Sequence, residues 1–474
     1  MVANALIKKT GLYFIGNMAS KCMSALIIPI YAAYVSSEAL GEYDYLLTLC
    51  SLFCPVVFCA MWEAILKFAL PGNRSYAEND VLRCAMQFML CVCAVISLLL
   101  FFAVWRFGTS PRNSLILMLM VLSNGLSTVW QYSARALGKT KCYVTSGVVG
   151  SVANFAMLLI FVCLIRGQFF GLAFAYIVGQ ISILVYLELR LHVVNRAWRG
   201  EYNSRLMRKM LRYCLPCIFN LLSMSLLTGV GRLLIVNAYG PEANGQYAFA
   251  MKFASIITAI GSIFSMAVIE EGIIRERLGA LRVFYSELMN RLVKLLLSLA
   301  TLALLIIGAF YALASRIEYY HSFPLIPIIV AYAVTIVLST NFGSSFMAQG
   351  KTEVNMWSTF VGLTICFVSS ILLMPRFEVI GVSVGLLAGA MAMMLFRAVF
   401  SVRGIGYKIN LWLVLALSTA YFTMAGICLF QYFYGFNLLI SIIALLLACA
   451  MIPMALSGLK EIASISDAKP RLSK

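Results

Sequence analysis

The sequence predicts an all-α integral membrane protein of about 14 transmembrane helices, two parallel six-helix repeats followed by two C-terminal helices. Three observations predict it. Of 474 residues, 62% are hydrophobic and only 11% charged, where a soluble domain carries about 25% charged residues. Apolar runs of about 20 residues, the length an α-helix needs to cross a bilayer, recur along the whole chain. Short signals in the first half return in the second half in the same order, the mark of a duplicated unit.

Glycine, proline, asparagine and charge clusters punctuate the spans. The first, 11–35, follows Lys8 and Lys9; it runs on without a small-residue cleavage site and is a retained helix rather than a removed leader. The second, 43–68, is entered after "SEALGEY" and left at Lys67 and Pro71-Gly72. Spans 80–105 and 113–137 flank Arg106, Pro111 and Arg112. Spans 142–165 and 169–191 flank Arg166-Gly167. A basic connector leads to 210–238, and Gly240-Pro241 separates it from 245–270. Spans 288–314, 324–348, 354–374 and 379–402 follow, the last two parted at Pro375 and Arg376. Spans 409–431 and 435–457 close the chain.

Basic residues collect on the side that stays inside. With a cytoplasmic N-terminus, 28 of the 36 lysines and arginines fall in inner segments and five, Arg106, Arg112, Arg166, Arg316 and Arg376, in outer loops. Both termini are therefore expected inside, as in a multi-pass protein of a bacterial cytoplasmic membrane.

"SEALGEY" at 37–43 returns as "PEANGQY" at 241–247, "ALGKT" at 136–140 as "AQGKT" at 348–352, and Gly171 of "FFGLAFA" as Gly381 of "VIGVSVG". Six spans per copy is an even number, so both copies face the same way and their pseudo-twofold axis runs along the membrane normal. The division is then 1–200 for helices 1–6, 201–405 for helices 7–12, and 406–474 for helices 13–14 with a cytoplasmic tail. The Gly-Lys-Thr triplets are not phosphate loops. A phosphate cradle needs a glycine five positions before the Gly-Lys pair, and Ser133 and Ser345 stand there. They read as inner turns, glycine ending a helix and lysine facing headgroups.

Other chemistries find little support. The net charge of +18 is spread in short clusters between apolar spans, so a nucleic-acid partner is not expected. Most of the 14 cysteines lie inside apolar spans, where they act as small hydrophobes. The CxxC of "YCLPCIF" at 213–219 lacks a thioredoxin-like context. His192 and His321 lie in different loops, and neither a metal site nor a cofactor is expected.

Three cations fall inside spans: Lys21, Arg232 and Lys252. Such a charge costs at least about 2.5 kcal/mol at the bilayer centre and marks a wet path or a partner. Lys21 shares one helix face with Asn17 and Ser24, and Arg232 continues a stripe with Ser225 and Thr228. Lys252 heads one with Ser255 and Ser262; in the fourth span Asn124, Thr128, Gln131 and Arg135 share a face. The economical arrangement is two lobes around a cationic cavity, with Asn17, Lys21, Ser24, Asn124, Gln131, Arg135, Arg232 and Lys252 as candidate lining residues. Such a cavity suits an anionic cargo. Acidic residues are scarce in the spans; Glu63 and Glu270 are candidates for ion coupling, although ordinary i+4 ion pairs, Glu63 with Lys67 and Glu271 with Arg275, explain these positions well.

"IIPIYAAYVSSEALGEYDYLLTLCSLF", "SARALGKTKCYVTSGVVGSVANF" and "LRYCLPCIFNLLSMSLLTGVGRLLIVNAYGPEANGQYAFAMKFASII" resemble the polysaccharide (O-antigen and capsule type) flippases of the multidrug/oligosaccharidyl-lipid/polysaccharide exporter superfamily, over nearly the whole chain. That resemblance implies two bundles in a V, working by alternating access without enzymatic chemistry. The cargo it implies is an undecaprenyl-pyrophosphate-linked glycan moved from the inner to the outer leaflet, with membrane lipids, polysaccharide polymerase and glycosyltransferases as partners. In relatives an Asp often precedes the helix 7 arginine; here Gly231 stands there. Lipid II flippases share the plan and are the alternative. Cationic-drug exporters are expected to keep an acidic residue in the N-terminal lobe, and none stands out at mid-span. A membrane polymerase or ligase is expected to carry a long outer loop, and the outer loops here are short.

Overall fold

A computed structural model describes residues 26–69, 76–107, 111–277, 281–313, 318–349, 352–406, 408–435 and 437–467. Among them every regular element is helical: α1 (26–34), α2 (Ser37–Val57), α3 (Met61–Phe68), α4 (Glu78–Phe107), α5 (Pro111–Ala136), α6 (Thr140–Leu158) with a wider turn Leu159–Leu164, α7 (Gln168–Leu191), α8 (Val193–Trp198), α9 (Ser204–Arg277), α10 (Leu281–Leu313), a 3₁₀ turn Tyr320–Leu325, α11 (Ile326–Ala348), α12 (Thr352–Ile405), α13 (Leu411–Tyr434) and α14 (Leu438–Asp467). Eleven helices among the described residues are long and apolar enough to cross a bilayer. Two of these are themselves pairs. α9 turns at Gly240 (φ 84°) and α12 at Glu378 (φ 48°), so each holds two spans. The eleven account for thirteen of the fourteen expected spans, and of the first, 11–35, the helix 26–34 is described; the chain is a multi-pass, all-α membrane protein.

Hydropathy alone starts the second span at 43, but α2 begins at Ser37, because the Ser36 hydroxyl accepts the Ala39 N–H and caps it. "SEALGEY" is thus helical, not a loop. Its repeat is helical too: Gly240 takes the left-handed turn and Pro241 opens the next helix, where its missing N–H costs nothing. The two heptapeptides pack against each other. A Cβ on Gly41 would lie 1.7 Å from the Pro241 carbonyl oxygen, and one on Gly245 would lie 1.8 Å from that of Ser37. The contact is reciprocal, Gly41 meeting Pro241, the counterpart of Ser37, and Gly245 meeting Ser37, a small-xxx-small crossing of the kind membrane helices use. Asn244 Nδ2 donates to the Gly41 carbonyl at 2.8 Å and locks it.

The second span is also interrupted. Pro55 has no N–H for the Ser51 carbonyl, and four residues on the chain turns through Cys59 (φ 47°) and Ala60 (φ 46°) before α3 begins. Ser225 Oγ answers the freed Ser51 carbonyl at 3.3 Å, and Cys214 Sγ donates at 3.6 Å to Ala60 O, which also accepts the Glu63 N–H.

By contact the chain divides into two compact units, 1–236 with 240–245, and 237–239 with 246–474. The first half of α9 therefore groups with the first unit, whereas the repeat pattern assigns it to the second copy. In the first unit α5 packs on α2, α3 and α7, and α6 on α7. In the second, α10 packs on α11, α13 and α14, and α11 on α12. An aromatic cluster of Phe249, Tyr311, Tyr319 and Phe323 fills its core, with the Tyr311 and Ser322 hydroxyls 2.5 Å apart.

Candidate functional site

In the first unit the expected cation Arg232 has a partner that hydropathy hides. Its Nε lies 2.6 Å from Oδ2 of Asp44, with side chains 19% and 4% exposed respectively. Asp44 stands two turns inside α2. A search for acidic residues at mid-span passes over Asp44, which lies near the start of α2, on a different helix from Arg232. Nη1 of Arg232 also donates to the Thr228 carbonyl at 3.3 Å. The pair lies one turn along α2 from Gly41, beside the helix crossing. A carboxylate this buried is stabilised by the cation beside it, and the pair adds to the α2–α9 packing at the crossing.

The α5 stripe is half-buried and knits helices together. Asn124 Nδ2 points at Cys50 Sγ (3.8 Å), and its carbonyl accepts from Ser127 and Thr128. Ser127 Oγ donates to Gln180 Oε1 at 2.6 Å, and Trp130 Nε1 to Glu188 Oε2 at 2.8 Å. Gln131 sits half-buried in the same stripe, and the Arg135 guanidinium lies between the Tyr132 and Tyr143 rings, 5.1 and 5.4 Å from their centroids. Glu63 is half-buried on α3, while Lys67 places its ammonium 3.8 Å from the Tyr213 ring centroid. The first Gly-Lys-Thr turn is as expected: Gly138 (φ 68°) ends α5 and the Lys139 N–H returns to Ala134 O.

In the second unit Lys252 is half-buried, and its carbonyl accepts from Ser255 Oγ at 2.6 Å. Asn17, Lys21 and Ser24 lie outside the described residues, as do Gly350 and Lys351 of the second triplet. Glu270 falls on the second half of α9 with its side chain outside what is described.

Arg397 is the cation that span-end reasoning misses. Taken as an inner-surface charge, it is 5% exposed. Its Nε donates to Ser358 Oγ (2.7 Å), Nη1 to Ser339 O (3.0 Å), and Nη2 to Thr359 Oγ1 (3.1 Å) and Asn355 O (3.4 Å). The acceptors come from α11 and the first half of α12, and Gly343 leaves the room, since a Cβ there would lie 3.0 Å from Nη1. The one available signal was the run Asn355, Ser358 and Thr359 on a single face. Among the described residues no group of three or more His, Cys, Asp or Glu could hold a metal.

Comparison with known proteins agrees with this architecture. Residues 6–269 match the family described as "Polysaccharide biosynthesis protein". No curated protein matches the chain in sequence. Among solved structures it is similar to a lipid II flippase MurJ in an inward closed conformation, with 16% identity over 93% of this chain and 98% of that one, TM-score 0.64. It is also similar to an inward-facing multidrug resistance MATE family transporter of the MOP superfamily (15% identity, 86% and 99% covered, TM-score 0.57). A MATE transporter of Vibrio cholerae gives 14% identity, 86% and 98% covered, TM-score 0.52.

Proposed function

The chain belongs to the polysaccharide biosynthesis protein family, and from that premise we propose that it is a flippase carrying an undecaprenyl-pyrophosphate-linked glycan from the inner to the outer leaflet by alternating access. A diphosphate cannot cross hydrocarbon unaided, because an unpaired charge there loses its hydration without compensation. A cationic cavity supplies that compensation through charge-assisted hydrogen bonds. The observation that carries the proposal is Arg232, a partly accessible guanidinium on a membrane-crossing helix. Lys252 and Lys21 are proposed to join it, and the polyprenyl tail stays in lipid throughout. No bond of the cargo is made or broken in this scheme, so the protein acts as a transporter and not as an enzyme. The repeat-based lobes, 1–200 and 201–405, and the cytoplasmic placement of both termini are part of the same proposal.

The test uses a strain lacking its own polysaccharide flippase and complemented by this chain. Lys21→Ala, Arg232→Ala and Lys252→Ala are each expected to lower surface polysaccharide at unchanged protein level. Full export by all three would refute the cavity. Restoration of peptidoglycan synthesis in place of polysaccharide export would reassign the cargo to lipid II.

A further inference from the structure

Asp44 has no place in a simple cationic cavity, since it carries the same charge as the cargo and sits on the cargo's own arginine. Its Oδ2 is 2.6 Å from Arg232 Nε, and it is the more buried partner, 4% against 19% exposed. The phenols of Tyr31 and Tyr43 also interact with its charge, and neither is a cation. Arg232 has a second anchor on the Thr228 carbonyl, from its own helix, so part of the side chain's orientation is set without the carboxylate.

The charge of Asp44 does something that Thr228 cannot. With the carboxylate in contact, the pair is neutral and stable in low dielectric before any cargo arrives. A phosphate approaching Arg232 from its accessible side meets a like charge already in contact with the guanidinium, where repulsion is weakly screened. We infer that Asp44 is an internal competitor for Arg232: the carboxylate yields the guanidinium to the cargo's phosphate and reclaims it, so that it sets how tightly the cargo is held and how fast it leaves. The inference rests on the flippase reading above and deepens it.

Competition and orientation predict opposite signs. If Asp44 only orients Arg232, its neutralisation weakens anion binding. If it competes, neutralisation tightens binding and slows departure, lowering turnover and half-saturation together. The measurement uses the purified full chain in lipid nanodiscs, with undecaprenyl diphosphate as probe and undecaprenyl phosphate for comparison. Asp44→Asn is expected to bind the diphosphate about tenfold more tightly, the scale of one close charge pair, and to release it more slowly, with a smaller effect on the monophosphate. Asp44→Glu should stay near the wild type. Arg232→Gln should bind weakly, and Asp44→Asn added to it should restore nothing. Asp44→Ser replaces the asparagine variant if that one does not fold. Unchanged or weaker binding by the Asp44 variants, with Arg232→Gln still defective, overturns the competitor while leaving the flippase reading intact. Wild-type binding that is undetectable, or indifferent to Arg232, brings down the reading itself.

Discussion

Arg397 shows how a buried charge can be held without a carboxylate. Four neutral oxygens from two neighbouring helical segments accept its N–H groups, so the charge is solvated by the protein instead of paired. Removing it strands those acceptors in a dry interior, at a cost of about 3 kcal/mol. Arg397→Ala is accordingly expected to lower the melting temperature of the purified protein by several degrees, and Arg397→Lys, which keeps the charge but loses the planar fork, to recover only part of it. His192 offers the opposite case. It is exposed at the end of α7 with φ 49°, a left-handed cap that suits glycine. His192→Gly should stabilise by about 0.5–1 kcal/mol, read as a small rise in melting temperature. At this scale the sequence was half legible. Arg232 stood out because a cation within an apolar span is anomalous wherever its partner lies. Asp44 and Arg397 did not, because each lies close enough to a span end to pass for an interfacial charge. Their partners come from other helices, which linear position does not reveal.

Among elements, the crossing of α2 with the second half of α9 is the tightest contact on which a prediction can rest. Gly41 and Gly245 allow backbone to touch backbone, and no side-chain adjustment can make room where a Cβ would overlap a carbonyl. Gly41→Ala and Gly245→Ala should each separate the helices and destabilise by at least about 2 kcal/mol, measured as loss of thermally stable, monodisperse protein. Ser225→Ala removes the donor that meets the carbonyl orphaned by Pro55, and a loss of about 1 kcal/mol is expected from the same assay. The motif repeat that led to this seam was visible in the sequence as two similar heptapeptides. Their helical state was not, since glycine, glutamate and serine read as loop until Ser36 is known to cap and Pro241 to open a helix. The interruption at Cys59 and Ala60 was equally hidden, because neither residue favours a left-handed turn.

For the whole molecule, hydropathy and breakers were enough to delimit fourteen spans, because in hydrocarbon only a helix satisfies every backbone group within its own segment. The grouping of those spans was less legible: contacts place the first half of α9 with the first unit, and contact is a three-dimensional quantity that repeat offsets do not encode. The 28-to-five distribution of basic residues predicts cytoplasmic termini, and a fluorescent protein fused after Lys474 is expected to mature in the cytoplasm, while alkaline phosphatase fused there stays inactive. The reverse pattern would invert the assigned orientation. The joints at Gly240 and Glu378 carry a practical corollary. A single residue at each separates two long helices, so there is no slack onto which an epitope or a protease site could be grafted without shortening a helix. Probes of topology inserted within the chain belong instead at the exposed Tyr202 between α8 and α9, clear of Gly200, which packs on Asn79, and of Asn203, which caps α9.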